Sequence, residues 1–346
     1  MKTVIMGAGR MGQAIAWAMD RMGYDIVLVD NNPDNLFGAE HEFSKLTLVQ
    51  SDGSGFSFTK GADVVISAMP YHQNLAAATY CVENHLKYCD LGGSVPVSSE
   101  INSTAKSYSN STVMTDLGLA PGWVNIIAEH KARGMAEAPD TISMMVGGLP
   151  KKPNNYLKYN CTWSYDGLVN EYKDSCEILI NGMQTIVSGM DGLVTVPTSI
   201  GDLEAFYTSG GASHTIDSMQ KLGVKNCNYK TLRYQGHCEA VRFLINECNL
   251  DDDSLKRVFK RACPPAEDIV IVRVDVDGSV EEKVIETKGK FSAMQQATAF
   301  PISVVADIIA REEVSGILSY KDIPYEIFET NLDYLFREAT DDESGS

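Results

Sequence analysis

The sequence lacks the long apolar segments of membrane proteins. No apolar run approaches the roughly 20 residues that a helix needs to cross a bilayer. The N-terminus, MKTVIMGAGRMG, reaches glycines after a few apolar residues and offers no small-residue cleavage site, so we expect no signal peptide. Together these absences predict a cytoplasmic protein with no membrane partner.

Cysteine and histidine do not occur at metal-ligand spacing. There is no C-x-x-C pair and the six histidines are scattered, which argues against a zinc site and against a disulfide framework. We therefore expect no bound metal, and we expect most cysteines to be buried thiols in a reducing compartment. The eight cysteines stand at positions 81, 89, 161, 176, 227, 238, 248 and 263.

Positive charge is also scarce. The chain has 46 Asp and Glu against 29 Lys and Arg, a formal charge of −17, which disfavours binding to a nucleic-acid backbone. The proportions of 44% hydrophobic and 22% charged residues are typical of a globular protein. A chain of 346 residues is long enough for two domains. These features leave a small molecule as the expected ligand.

The first 120 residues alternate between strand and helix patterns. KTVIM at 2–6 is a short apolar strand, and apolar residues at helical spacing from Met11 to Met22 predict a helix that Gly23 ends. DIVLVD at 25–30 is a second buried strand. Further strand-like runs occur at 45–50, 62–70, 88–93 and 112–118, with a helix at 74–85. The alternation predicts an α/β fold of the Rossmann type, a parallel sheet wound on both faces.

The pattern changes after about residue 120. Polar-alternating strands at 141–148, 157–165, 176–182, 203–209 and 230–234 predict a second α+β domain with a mixed or antiparallel sheet. Asp277-Gly278 stands between two alternating runs, which is a strong hairpin signal. From Phe300 the chain turns helical again. We therefore predict a nucleotide domain of residues 1–120 and 300–346, and a substrate and dimerisation domain of residues 121–299.

A glycine-rich turn joins the first strand to the first helix. Gly7, Gly9 and Gly12 form G-x-G-x-x-G at the position where a dinucleotide pyrophosphate meets a helix N-terminus. Asp30 ends the second strand, where a carboxylate accepts from the adenosine ribose hydroxyls and repels a 2′-phosphate. The alternative is that these residues form a glycine-rich turn and a surface Asp that bind no ligand. The pattern favours a bound dinucleotide, NAD rather than NADP, with further contacts from Ala8, Arg10 and Met11.

Loops at the carboxyl ends of the later strands line the cofactor crevice in such folds. AMPYHQN at 68–74 is one of these loops, unless it is an ordinary polar loop. We assign Ala68, Met69 and Pro70 to the cofactor, Tyr71 to the substrate and His72 to catalysis.

YCDLGG and TDLGLAPG each place an Asp at a strand end, just before glycines. Asp90 and Asp116 are candidate catalytic bases, or they cap the next turn, as Asp often does. Gly92 is assigned to the cofactor.

Several motifs resemble the saccharopine dehydrogenase family. They are YCDLGG, DLGLAPG, GGLPKKPNNYLKYNCTWSYDGLVNEY, EAFYTSGG and KTLRYQGH, in order along the chain. Within that family the likeness is greatest to lysine 6-dehydrogenase and related saccharopine or carboxynorspermidine-type reductases. The resemblance implies an NAD(P)-linked enzyme that acts at a C–N bond of an amino acid or its imine.

KTLRYQGH at 230–237 concentrates cations and ring nitrogens on an acidic chain. Arg233 can hold an amino-acid carboxylate with two parallel hydrogen bonds, or it forms an internal salt bridge. His237 can supply a proton or a hydrogen bond, and histidine needs little tuning to act as a base. Glu171 can face a substrate amino group. Tyr165, Thr208 and Ser209 are further substrate-binding candidates, although residues before glycines also shape turns.

The expected activity is NAD-dependent oxidative deamination of an L-lysine-like side-chain amine. One alternative is reductive condensation of an aldehyde with an amine, of the saccharopine or carboxynorspermidine type. Another is a non-catalytic dinucleotide sensor. Because an exposed sheet edge in the second domain can pair between subunits, we expect a homodimer.

Overall fold

A computed structural model describes residues 1–36, 43–52, 55–108, 110–287 and 289–341. The chain forms two compact units. Unit 1 comprises Met1–Ile126 and Gln295–Ser346, and unit 2 comprises Ile127–Met294.

Unit 1 contains a six-stranded sheet whose strands are all parallel. The strand order is β3-β2-β1-β4-β5-β6, which is the doubly wound order of dinucleotide-binding folds. The predicted Rossmann-type fold is therefore confirmed. The strands are β1 (Lys2–Met6), β2 (Asp25–Asp30), β3 (Leu46–Gln50), β4 (Val64–Ser67), β5 (Tyr88–Asp90) and β6 (Val113–Met114).

The helices of unit 1 follow from the apolar spacing of its sequence. In the first helix Ala14, Ile15, Ala18 and Met19 are buried, and Gly23 follows its end with a φ of +85°. The helices are α1 (Arg10–Arg21), α2 (Pro33–Leu36), α3 (Asn74–Glu83), α4 (Val95–Ala105) and, crossing into unit 2, α5 (Trp123–Arg133).

Unit 2 is built on an eight-stranded mixed sheet. Its main path is β10-β11-β12-β7-β13-β14, and β8 joins β9 to β12. Among the described strand pairs of this second sheet, only β7 and β12 are parallel. The strands are β7 (Thr141–Pro150), β8 (Cys176–Ile180), β9 (Met183–Val187), β10 (Val194–Thr198), β11 (Gly201–Tyr207), β12 (Asn226–Tyr234), β13 (Asp268–Val276) and β14 (Ser279–Glu286).

The hairpin signal in unit 2 is confirmed. Val276 pairs with Ser279, and Asp277 and Gly278 both have positive φ, at 49° and 85°. The helices of this unit are α6 (Tyr165–Lys173), α7 (Thr215–Leu222), α8 (His237–Arg242), continued by a π-helical turn at Phe243–Glu247, and α9 (Asp252–Ala262).

The predicted strand at 157–165 is wrong. Lys158 has a φ of +49°, which ends any extended conformation. Ser164 instead caps α6, because its side chain accepts a hydrogen bond from the Gly167 amide. The aromatic residues of this stretch pack into a core that also contains Phe206 and Phe259.

The last part of the chain is helical, as predicted, in α10 (Ala293–Ala310) and α11 (Tyr325–Asp341). Within the described residues, α10 is the one helix long and apolar enough to cross a membrane, but 89% of it is buried inside the protein. Phe300 on α10 stacks on Trp17 of α1, with 5.4 Å between ring centroids. The helix therefore packs as a core element. All eight cysteines are free thiols, and only Cys248 is exposed.

Candidate active site

Two of the three glycines in the G-x-G-x-x-G turn are required by packing. Gly7 has a φ of +97°, and a Cβ there would lie 2.8 Å from the Ala68 carbonyl oxygen. A Cβ at Gly12 would lie 1.7 Å from the Gly7 carbonyl oxygen. The turn is thus pressed between β4 and α1, which fixes its position at the carboxyl edge of the sheet.

Gly9 has no such explanation inside the protein. Its φ of −68° suits any residue, and a Cβ there would meet no atom of the described chain within 4 Å. Gly9 is also the N-cap of α1, where no described side chain caps the helix. The first amides of a helix have no partner within the helix and favour an anion. The open space over Gly9 therefore fits a pyrophosphate.

Asp30 lies where the sequence predicts, at the end of β2. Its Oδ2 accepts from the Ala8 amide at 2.6 Å, and its Oδ1 accepts from the Asn32 amide at 2.8 Å. The carboxylate therefore anchors the glycine turn. Contact with a ribose, and the cofactor contacts assigned to Arg10 and Met11, stay predictions.

The loop after β4 also lies at this edge. Tyr71 and His72 form an exposed 3₁₀ turn, and Tyr71 lies beside Gly93, where a Cβ would be 3.4 Å from the tyrosine ring. Met69 lies beside Gly7, since the Met69 amide would be 3.2 Å from a Cβ there. The structure thus brings residues 68–72, the glycine turn and the turn at Gly92 to one edge of unit 1.

Asp90 and Asp116 are buried, at 0% and 1% exposure, and hydrogen bonds surround them. Asp90 accepts from the Gly92 amide at 2.8 Å, the Asp116 amide at 3.2 Å and the Tyr88 hydroxyl at 3.0 Å. Asp116 has a φ of +63° and accepts from the Ser98 hydroxyl at 2.7 Å. Burial and the Asp116 charge raise the pKa of Asp90 to about 7. These contacts fit the second alternative, in which both residues shape the turn, and a role of either as a catalytic base stays a prediction.

In unit 2, Arg233 lies on β12 and is 3% exposed. Its Nε donates to the Tyr172 hydroxyl at 3.1 Å, and its Nη1 donates to the Leu232 carbonyl at 2.9 Å and weakly to Thr231 Oγ1 at 3.4 Å. Its carbon Cζ lies 4.6 Å from the centroid of the Tyr159 ring. Nη2 lies 3.7 Å from Glu171 Oε2, which is the internal salt bridge of the alternative interpretation, and the two-bond grip on a substrate carboxylate stays a prediction. Nη2 remains the group that can reach a ligand.

His237 is fully buried and holds two protein partners. The Tyr172 hydroxyl, which accepts from Arg233, lies 2.9 Å from Nε2, so it donates to that nitrogen. Nδ1 then donates to the Leu157 carbonyl at 2.7 Å. Burial and the Arg233 charge lower the pKa of His237 to about 3. His237 thus positions Tyr172 and the loop at Leu157, and its predicted role as a proton carrier stays a prediction that these contacts do not favour.

Glu171 differs from these satisfied groups. Its Oε2 is buried, has no hydrogen-bond partner among the described residues and lies 3.7 Å from Arg233 Nη2. Burial raises the pKa of Glu171 to about 7, although the Arg233 charge opposes this shift. Thr208 Oγ1 is also buried without a partner in the described chain. Ser209 lies next to both, because its amide donates to the Glu171 carbonyl at 3.0 Å.

Tyr165 is turned to the protein, since its hydroxyl donates to the Cys263 carbonyl at 3.3 Å. The sequence interpretation missed Tyr159 and Tyr172, whose rings flank Arg233. It also missed Glu204, which accepts from the Gly236 and Cys238 amides and so holds His237 in place. Tyr172 directly follows Glu171 in the sequence, and that adjacency was the signal from which Tyr172 could have been predicted as a site residue.

Two family models match the chain almost end to end. Residues 3–115 match the saccharopine dehydrogenase NADP binding domain, and residues 118–340 match the saccharopine dehydrogenase C-terminal domain. This chain belongs to the saccharopine dehydrogenase family. The family resemblance of the sequence is thereby confirmed, and the glycine turn of unit 1 lies in a domain that binds a nicotinamide dinucleotide.

Curated relatives are similar at low identity. Alpha-aminoadipic semialdehyde synthase, mitochondrial, of Mus musculus is 23% identical over 266 residues, 70% of this chain and 28% of the relative. Saccharopine dehydrogenase [NADP(+), L-glutamate-forming] of Pyricularia oryzae is 25% identical over 272 residues, 75% of this chain and 58% of the relative. The chain thus spans less than two thirds of the length of either protein.

A solved structure shares the fold of this family member. Apo saccharopine dehydrogenase (L-Glu forming) from Saccharomyces cerevisiae superposes with a TM-score of 0.73, at 16% identity, over 97% of each chain.

Proposed function

We propose that this member of the saccharopine dehydrogenase family is a nicotinamide-dependent oxidoreductase that acts at a C–N bond of an amino-acid substrate. The observation that carries the cofactor half of the proposal is the open space over Gly9, at an uncapped helix N-terminus in the described chain. The bound nicotinamide would supply the hydride chemistry. The glycine turn would hold the pyrophosphate, and Asp30 would face the ribose.

Unit 2 supports an amino acid as the substrate. A buried guanidinium with Nη2 free of the Tyr172 and Leu232 bonds attracts a carboxylate. Oxidation of an amine removes a hydride from carbon and a proton from nitrogen, and water then hydrolyses the imine. Glu171, with a pKa of about 7, suits a group that exchanges a proton or binds an ammonium near neutrality.

We further propose that NAD(H) is preferred to NADP(H). The segment after β2, NNPDNL at 31–36, has no Lys or Arg, so a 2′-phosphate would meet Asp30 and Asp34 instead of a cation. The description of the family model and the name of the Pyricularia oryzae relative speak for NADP. Fluorescence titration of the unmodified protein with NADH and NADPH decides between them, and tighter binding of NADPH would refute the proposal.

Two reactions are candidates. Oxidative deamination of an L-lysine-like side-chain amine needs one carboxylate anchor, which Arg233 provides. Saccharopine-type chemistry, an aldehyde and an amine joined by reduction or the reverse, is supported by the names of the relatives. Absorbance of the reduced nicotinamide, followed with L-lysine, with saccharopine, and with an amine plus an aldehyde, separates the two. Cofactor binding without turnover on any of them would identify a dinucleotide sensor.

A further inference from the structure

We propose that Glu171, Thr208 and Arg233 form a recognition site for the zwitterionic α-amino-acid head group of the substrate. In this site Glu171 Oε2 accepts from the α-ammonium group, and the α-carboxylate accepts from Arg233 Nη2 and the Thr208 hydroxyl. This inference deepens the proposed function and rests on it. It assigns Glu171 to the α-ammonium group, a contact that binding of the carboxylate by Arg233 alone does not specify.

The first reason is the pair of unsatisfied atoms. Buried polar side-chain atoms nearly always have a hydrogen-bond partner. Glu171 Oε2 and Thr208 Oγ1 have none among residues that the structure describes. A ligand that both donates and accepts would satisfy the carboxylate oxygen and the hydroxyl, and an α-amino acid carries an ammonium and a carboxylate on the same carbon atom.

The second reason is that the backbones that carry these two side chains lie close together. The Ser209 amide donates to the Glu171 carbonyl at 3.0 Å, so the segment after β11 lies against the end of α6. Gly211 continues this segment over Tyr229, whose ring would be 2.2 Å from a Cβ at that position. The contacts hold Thr208 beside Glu171 without help from their side chains.

The third reason is the gap between opposite charges. Arg233 Nη2 and Glu171 Oε2 lie 3.7 Å apart, beyond the 2.7–3.2 Å of a hydrogen bond. Arg233 cannot move to close the gap, because Tyr172 and Leu232 hold its other nitrogens at 3.1 and 2.9 Å. A ligand whose carboxylate faces Arg233 and whose ammonium faces Glu171 would therefore complement both charges.

The difference in exposure between the two charged groups indicates the direction from which a ligand would enter the site. The Arg233 side chain is 3% exposed and the Glu171 side chain is 20% exposed. A head group would reach the site past Glu171, with the carboxylate leading toward the guanidinium. A larger group on the α-nitrogen would be excluded by the buried position of Oε2.

The test uses the whole protein and two near-isosteric variants. Glu171→Gln removes the negative charge, and Thr208→Val removes the hydroxyl. Glu177→Gln, an exposed glutamate on β8, is the matched control. The probes are L-lysine, 6-aminohexanoate, which lacks the α-amino group, and 1,5-diaminopentane, which lacks the carboxylate. Calorimetry measures binding, steady-state kinetics measure KM, and thermal melting checks folding.

Glu171→Gln should weaken the binding of L-lysine about 10- to 150-fold, as expected for a lost bond to a charged group, and should leave the binding of 6-aminohexanoate unchanged. Thr208→Val should weaken L-lysine and 6-aminohexanoate alike and leave 1,5-diaminopentane unchanged. NADH affinity should not move in either variant.

Saccharopine replaces L-lysine as the probe if it is the better substrate, because it carries the same head group. Equal loss for L-lysine and 6-aminohexanoate in Glu171→Gln, or no loss in either folded variant, would overturn the inference while the proposed function stands. Head-group-dependent binding without turnover would support the site and overturn the proposed function. If the unmodified protein binds none of the amino acids, both proposals fail.

Discussion

Gly9→Ala tests the dinucleotide site directly, because the structure separates its effect on folding from its effect on binding. A Cβ at position 9 would meet no atom within 4 Å in the described part of the chain, and the φ of −68° suits alanine. Alanine is a poorer N-cap than glycine, but it also lowers the entropy of the unfolded chain. These effects oppose each other at about 0.5–1 kcal/mol each. The melting temperature should therefore change by no more than about 3 °C.

Binding should respond much more strongly. The pyrophosphate would accept charge-assisted hydrogen bonds from the amides at the start of α1, and each contributes about 1.5–3 kcal/mol. A methyl group on Gly9 projects into that space and holds the phosphates away. Loss of one such bond lowers NADH affinity about 10- to 150-fold. Gly9→Val, with two more carbon atoms, should abolish measurable binding in a folded protein.

Fluorescence titration with NADH gives the affinity, and thermal melting gives the stability. Gly55→Ala is the matched control, because a Cβ there also meets no atom within 4 Å among the described residues and its φ is not left-handed. Gly12→Ala is the opposite control: its Cβ would lie 1.7 Å from the Gly7 carbonyl oxygen, so unit 1 should unfold. Near-normal NADH affinity in folded Gly9→Val would refute the reasoning.

Three further predictions concern single contacts. Asn31→Arg puts a cation beside Asp30 and should raise the affinity for NADPH relative to NADH; an unchanged ratio in competitive titration contradicts the ribose assignment. His237→Gln should lower the melting temperature but leave the shape of the kcat/KM pH profile above pH 5 unchanged, because His237, with a pKa of about 3, is already neutral there. Folding raises the pKa of Asp90 from 3.8 to about 7, so between these pH values the folded protein holds one proton more than the unfolded chain. The free energy of unfolding should therefore fall by at most about 4 kcal/mol as pH rises through that window. Asp90→Asn should remove this component, and an equally steep pH dependence of its melting temperature would be inconsistent with the assignment.

Local signals in the sequence predicted most of unit 1. The spacing of Ala14, Ile15 and Ala18 fixes which face of α1 is buried, and the glycine turn needs only neighbours along the chain and on β4. The Asp277-Gly278 hairpin is likewise a property of a few adjacent residues. These features depend on residues that are near one another in the sequence and can be predicted without knowledge of tertiary contacts. The fold class could therefore be predicted from them.

The partners of Arg233 could not be predicted in this way. Tyr172 is 61 residues from Arg233 along the chain, and Leu157, which holds His237, is 80 residues from that histidine. A single sequence carries no record of which distant residues meet. Burial then changes the expected chemistry: an exposed histidine titrates near pH 6.5, whereas burial and the Arg233 charge lower the pKa of His237 to about 3.

The apparent basic cluster KTLRYQGH disperses for a reason that lies in β12 itself. Side chains along a strand alternate between its faces, so residues three apart point in opposite directions. Lys230, opposite Tyr207 in the sheet, donates to the Gly192 carbonyl at 2.6 Å and lies 4.7 Å from the Tyr207 ring centroid. Arg233 shares the other face with Thr231. One strand thus carries two buried cations into separate surroundings, and only the cation on the Arg233 face meets an unsatisfied carboxylate. The sequence clusters positive charge, but the sheet separates Lys230 from Arg233, and the proposed substrate contact concerns only the Arg233 face.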